Sequence, residues 1–222
     1  MNSKIKIDDI LPENLVYDFI KWTAAPSACA YFRPKIYYQN KEAIKKLDGA
    51  FIISANHINF IDPLYIHCLF PKRRIHTVAM EEMFNKPGKA WFFSHINCIE
   101  VDRNNVGIDL VHKVVDKLKK GKVVCIFPEG AIEQEKQLTN FRGGCAMFSL
   151  LGNAPIVPVY LIKRPNVLER AEAVIGKPIY PKDVLGESAS IMGIEKLNEY
   201  IYEQERLLEA TYKKIKKGAC RK

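Results

Sequence analysis

Residues 50–63 read AFIISANHINFIDP, and three kinds of signal follow one another inside that stretch. AFIISAN is a short apolar run rich in isoleucine, which predicts a strand buried on both faces. His57 comes directly after it. Asp62-Pro63 then marks a helix start, because proline suits the first helical turn and an aspartate just before it is a favoured cap. A helix over 62–70 is therefore expected to begin at Asp62. A strand, a short loop and a helix in that order are the opening part of a parallel βαβ unit.

The same alternation continues outward. Runs at 75–80 (IHTVAM), 98–102 (CIEVD), 122–127 (KVVCIF), 156–162 (IVPVYLI) and 173–179 (AVIGKPI) read as further strands. Between them, 107–120 (GIDLVHKVVDKLKK) reads as a helix with Ile108, Val111, Val115 and Leu118 as one stripe and Gly121 as its stop. A long helix over 193–217 carries Ile194, Leu197, Ile201, Leu208, Thr211 and Ile215 on one side. The pattern predicts an α/β fold: a single layered domain at 49–222, with a central mostly parallel sheet flanked by helices. Residues 143–162 pass without a charge, yet Gly152-Asn153 supplies a helix stop and Pro155 and Pro158 deny a continuous helix. That stretch reads as a buried helix, a tight turn and a buried strand, not as a membrane span.

An N-terminal amphipathic helical segment, 1–48, precedes the domain. Residues 14–32 hold five aromatics, a face of Leu15, Phe19 and Ile20, and an expected break at Pro26. Either they dock a membrane interface, with Lys4, Lys6, Lys21, Arg33 and Lys35 near headgroups, or they form a helical hairpin packed on the sheet. Lys and Arg outnumber Asp and Glu by 34 to 25, giving a formal charge of +9 that favours anionic partners. The basic residues are spread along the chain without a nucleic-acid motif, so an anionic membrane surface is the expected partner and nucleic acid is not. Six cysteines with no C-x-x-C pair suggest a reducing compartment. The N-terminus has no signal-peptide core, and the expected location is the cytoplasmic side of a membrane, peripheral or monotopic.

Strand ends in open α/β sheets gather functional groups, and four blocks end or follow strands here. In the first, a loop lets Asp62 curl back toward His57, where a carboxylate would hold the imidazole tautomer. His76 with Glu81 and His95 with Glu100 repeat the spacing but have no loop to fold the pair together. In the second, FPEG (127–130), proline ends a strand, the turn exposes Glu129, and Gly130 admits conformations that strain other residues. The third, CIEVDR (98–103), brings Arg103, whose planar fork matches a phosphate. The fourth is Arg142-Gly143-Gly144, opening a helix whose first amides suit an anion, followed by the apolar strand APIVPVYL.

The order NHINFID, CIEVDR, FPEG with FRGG, then APIVPV strongly resembles the glycerophospholipid acyltransferase family, in particular the 1-acyl-sn-glycerol-3-phosphate acyltransferases. The resemblance implies transfer of a fatty acyl group from an acyl thioester, acyl-CoA or acyl carrier protein, to the hydroxyl of a lysophospholipid. His57 would be the general base, Asp62 its orienting group, Arg103 the phosphate grip and Glu129 a contact near the glycerol or that phosphate. Asn56 and the amides around Gly130 or after Arg142 complete the expected substrate contacts. No metal or cofactor is implied. The chain departs from the family pattern at Asn59, Asn97, Glu100, Ala131 and Ile132, which leaves another lysolipid, hydroxyl or amine acceptor open. A non-catalytic basic membrane-binding protein and a hydrolase using the same pair are the rival readings.

Overall fold

The computed structural model describes residues 15–102, 107–129, 143–162, 164, 168–186 and 191–219. The chain runs α1 (Leu15–Phe32), β1 (Lys35–Tyr38), α2 (Lys41–Lys45), β2 (Phe51–Ala55), α3 (Asp62–Leu69), β3 (Ile75–Met80) and a 3₁₀ turn (Glu81–Phe84). It continues α4 (Pro87–His95), β4 (Cys98–Val101), α5 (Ile108–Lys119), β5 (Val123–Ile126), α6 (Gly144–Gly152), β6 (Ile156–Ile162), β7 (Glu172–Ile175), α7 (Pro181–Leu185) and α8 (Ile191–Ala219). The strands form one sheet in the order β1-β7-β6-β2-β5-β3-β4. Among the described strands only β6 and β7 pair antiparallel; the other neighbours run parallel.

All five residues of β2 are buried, as an unbroken apolar run requires of a central strand covered on both faces. Ile53 and Ala55 join a core with Ile66, Ile75, Cys125 and Val159 under α1 and α3. Ile52 points the other way, into a core with Val114, Leu118, Phe148, Leu197 and Ile201 under α5, α6 and α8. Truncating a fully buried residue such as Ile53 to alanine costs about 2–5 kcal/mol.

Four local expectations change. Pro26 does not break the first helix: α1 runs through it as one piece, so there is no hairpin. Tyr17, Ala28 and Phe32 fasten α1 to the core, and those contacts outweigh the one backbone bond a proline removes. On α5 the buried row is Leu110, Val114 and Leu118, while Ile108 is 75% exposed in the first turn. The run at 173–179 pairs regularly only to Ile175, because at Gly176 the chain presses so close that a Cβ would lie 2.7 Å from Pro158 Cγ. Finally, KIYY at 35–38 is a strand, held by parallel pairing with β7 rather than by any strong local pattern.

The uncharged stretch divides as expected. α6 ends at Gly152, Asn153 takes the left-handed conformation at φ 46°, and β6 follows at Ile156. Asparagine is among the few residues that visit that region readily. Asn97 does the same at φ 61°, immediately before β4, which explains an asparagine at a position where glycine would serve the same purpose. No described helix is long and apolar enough to cross a membrane.

Candidate active site

β2, β5 and β6 are direct neighbours, so their carboxyl ends open onto one edge of the sheet. The register sets Ser54 beside Ile126 and Ala55 beside Val159. The residues that follow these positions therefore meet there.

Asn56 is the first. Its Oδ1 accepts from the Leu161 amide at 2.6 Å and its Nδ2 donates to the Leu161 carbonyl at 3.0 Å. With the residue 4% exposed, the side chain clasps β2 to β6 past the point where the ladder ends, instead of reaching outward.

His57 comes next, and its Nδ1 lies 3.0 Å from Asp62 Oδ2. The same oxygen accepts from the amides of Ile58 and Asn59, each at 2.7 Å. Asp62 therefore does not cap α3. The cap position is Ile61, which makes no side-chain cap bond, and the aspartate is the first helical residue with its carboxylate turned back over the loop. A helix amide is a weaker attraction than three donors converging from a tight turn. One carboxylate oxygen thus closes the turn and aligns the imidazole. With Nδ1 donating to Asp62, Nε2 is left as the ring's acceptor.

Phe127 stacks on the His57 ring, centroids 4.2 Å apart at 24°. Glu129, expected as an exposed turn residue, is 9% exposed, and its Oε2 accepts from the His57 amide at 2.9 Å. The FPE turn thus holds His57 twice, through ring and backbone. Phe60 (63% exposed) and Leu64 (43%) flank Asp62 and leave an apolar rim beside the pair. Sequence reasoning named Phe127 only as part of a motif; its ring contact depends on the side-by-side register of β2 and β5, which no local pattern announces. Of the other expected residues, Arg103, Gly130 and Arg142 lie outside the described residues.

His76 and His95, which repeat the spacing, sit on other elements. His76 is buried within β3, and His95 stacks on Trp91 at the end of α4, with Nδ1 2.7 Å from the Trp91 carbonyl. Burial pushes the Cys98 thiol up to about 12 and the Cys125 thiol well above its ordinary value, so neither is a ready thiolate near neutral pH.

Comparison with known proteins adds four observations. A family model described as Acyltransferase matches residues 35–162. The 1-acyl-sn-glycerol-3-phosphate acyltransferase of Bacillus subtilis (strain 168) is 27% identical over 183 residues, covering 79% of this chain and 89% of that protein. The enzyme of the same name from Streptococcus pneumoniae is 25% identical over 182 residues, covering 79% and 67%. Among solved structures, the 1-acyl-sn-glycerophosphate (LPA) acyltransferase PlsC of Thermotoga maritima superposes with a TM-score of 0.64 at 21% identity, covering 88% of this chain and 79% of that one. At that identity the match speaks to the fold.

Proposed function

This chain belongs to the acyltransferase family, and we propose that it moves a fatty acyl group from an acyl thioester to the free hydroxyl of 1-acyl-sn-glycerol-3-phosphate, giving phosphatidate. The observation that carries the reading is the His57 Nδ1 to Asp62 contact of 3.0 Å at the shared edge of β2, β5 and β6, with the His57 side chain 17% exposed there. His57 Nε2 takes the proton as the hydroxyl oxygen attacks the thioester carbonyl. The tetrahedral intermediate collapses, the C–S bond breaks, and the imidazolium returns the proton to the departing thiolate. Asp62 keeps the ring in the required tautomer and balances its transient charge. Glu129 fixes the backbone of His57 and borders the acceptor. Arg103 is the proposed grip on the acceptor's phosphate, and amides around Gly130 or after Arg142 are the proposed donors to the oxyanion. The donor is acyl-CoA or acyl carrier protein; no cofactor takes part. The names of the matching relatives support the acceptor, and family membership sets aside the non-catalytic reading.

The proposed partner surface is an anionic membrane. α1 leaves Leu15, Phe19 and Trp22 outward, the last two at 68% and 83% exposure. Beside Trp22 lies a cleft of about 770 Å³ bordered by Lys21, Lys72, Arg73 and Lys122. Aromatic and aliphatic side chains with lysines beside them suit the headgroup region. α1 starts by Ile75, whose amide bonds Tyr17, at the end of the strands away from His57. It finishes beside β7, where the Ala171 amide bonds the Phe32 carbonyl. A bilayer along α1 would therefore run toward the edge that bears Phe60 and Leu64, the side from which a lysolipid tail enters.

Thiol release from a long-chain acyl-CoA, with mass-spectrometric identification of the acylated product across a panel of lysolipid, glycerol and amine acceptors, tests the reading. Release is expected only with an acceptor present, and fastest with lysophosphatidate. Free fatty acid as the sole product would make the protein a hydrolase instead.

A further inference from the structure

Beneath the turn that carries His57 lies a carboxyl group that the transfer chemistry does not use. Glu205 sits on α8 in a row with Leu197, Ile201 and Leu208, all four at 0% exposure. Ser54 Oγ donates to Glu205 Oε1 at 2.7 Å, and Cys145 Sγ reaches the same hydroxyl at 3.8 Å. Oε2 has no hydrogen-bond partner among the described residues. The titratable groups bearing on it are Cys145 from α6 and Glu129 from the turn after β5; on β6, Tyr160 bonds Glu209 one turn further along α8. Among these described groups there is no cation. A carboxyl group enclosed among apolar side chains favours its neutral form. Burial pushes the Glu205 acid well above the usual carboxylate range, the Ser54 bond offsets part of that, and the charge of Glu129 adds to it. The Cys145 thiol, raised to about 12 by burial, is neutral as well.

We propose that Glu205 is a positioning residue for the acyl transfer: from α8 it braces Ser54 from behind, while Glu129 holds the His57 amide. The inference rests on the function assigned above to His57. Ser54 lies on β2, three positions before His57 in the turn that follows, so a tie from α8 fixes the stalk of that turn. Asn56 and Glu129 fix its tip by their bonds to Leu161 and to the His57 amide. Loss of the Glu205 proton would place a second negative charge below Glu129 and drive that carboxylate off the amide. The brace works in one protonation state only.

The test measures acyl transfer against pH for the unmodified protein, Glu205→Gln and Glu205→Leu, together with the amide NMR signal of ¹⁵N-labelled His57. Glutamine keeps a Ser54 acceptor and cannot ionise. It is expected to hold kcat within about threefold at neutral pH and to abolish any alkaline fall that the unmodified protein shows, while its His57 amide stays put. Leucine is expected to lower kcat at least about tenfold with KM little changed, and to move that amide signal. Ser54→Ala removes the same tie from the strand side and gives the reading should the leucine variant fail to fold. A folded leucine or Ser54→Ala variant with full kcat and an unmoved His57 amide overturns the proposal, as does a glutamine variant that retains an alkaline fall. Should the unmodified protein turn over no thioester, the function of His57 fails, whereas the amide signal still decides the brace.

Discussion

Asp62 gives one oxygen to two amides and an imidazole, so its two simplest replacements are expected to fail differently. Asparagine offers an oxygen to the Ile58 and Asn59 amides but no charge for the imidazolium; the turn survives and kcat falls. Alanine leaves both amides without that partner, about 1–3 kcal/mol each where they are shielded from water, and lowers the melting temperature as well. His57→Ala, by contrast, is expected to lose at least about 10²-fold in kcat with an unchanged melting transition. Initial rates and thermal melts of the three variants check this; an asparagine variant at full rate would remove Asp62 from the chemistry. The pairing of His57 with Asp62 was legible in the sequence because both partners lie within one loop, five positions apart. Their supports were not. Glu129 reaches the His57 amide across 72 positions and Asn56 reaches Leu161 across 105, and only the sheet order brings such residues together. Glu205 left a fainter trace, a single charge within an otherwise apolar row on the last helix.

Elements with strong periodicity came through from sequence to structure, with β3 and β6 matching their runs residue for residue. Those held by distant partners did not: β1 has a short, weak pattern and owes its place to β7. At that edge Glu172 gathers Tyr37, Tyr212, Lys35 and Lys216, the last with Nζ 2.8 Å from Oε2. Burial alone would raise this acid, but the bonds from Lys216, Tyr212 and Tyr37 win and bring it down to about 2. A carboxylate held below its unfolded value stabilises the fold above that unfolded value, and the stability is lost as pH falls. Melting temperature is therefore expected to decline between pH of about 4.5 and about 2, more steeply in the unmodified protein than in Glu172→Gln. Parallel acid slopes for the two would show that the cluster does not hold β1 and α8 to β7.

At the scale of the whole molecule, the proposed membrane contact combines an excess of nine positive charges with the exposed apolar side chains of α1. Phe19→Ser with Trp22→Ser is expected to weaken binding to anionic liposomes several-fold, with the melting temperature unmoved because neither side chain is buried. Raised salt should weaken the remaining attraction further. Sedimentation with vesicles of phosphatidylglycerol and of phosphatidylcholine reads both effects, and equal binding by the double variant would place the contact elsewhere. The seating of β1 also bears on how the chain assembles during synthesis. Its ladder partner is β7, with Tyr37 and Glu172 separated by 135 positions. The strand leaves the ribosome before β7 and waits, as an open edge, until β7 has been made. Ribosome-stalled chains ending before residue 172 should expose KIYY to chaperones and proteases, and stalled chains long enough to free β7 from the ribosome should close that window.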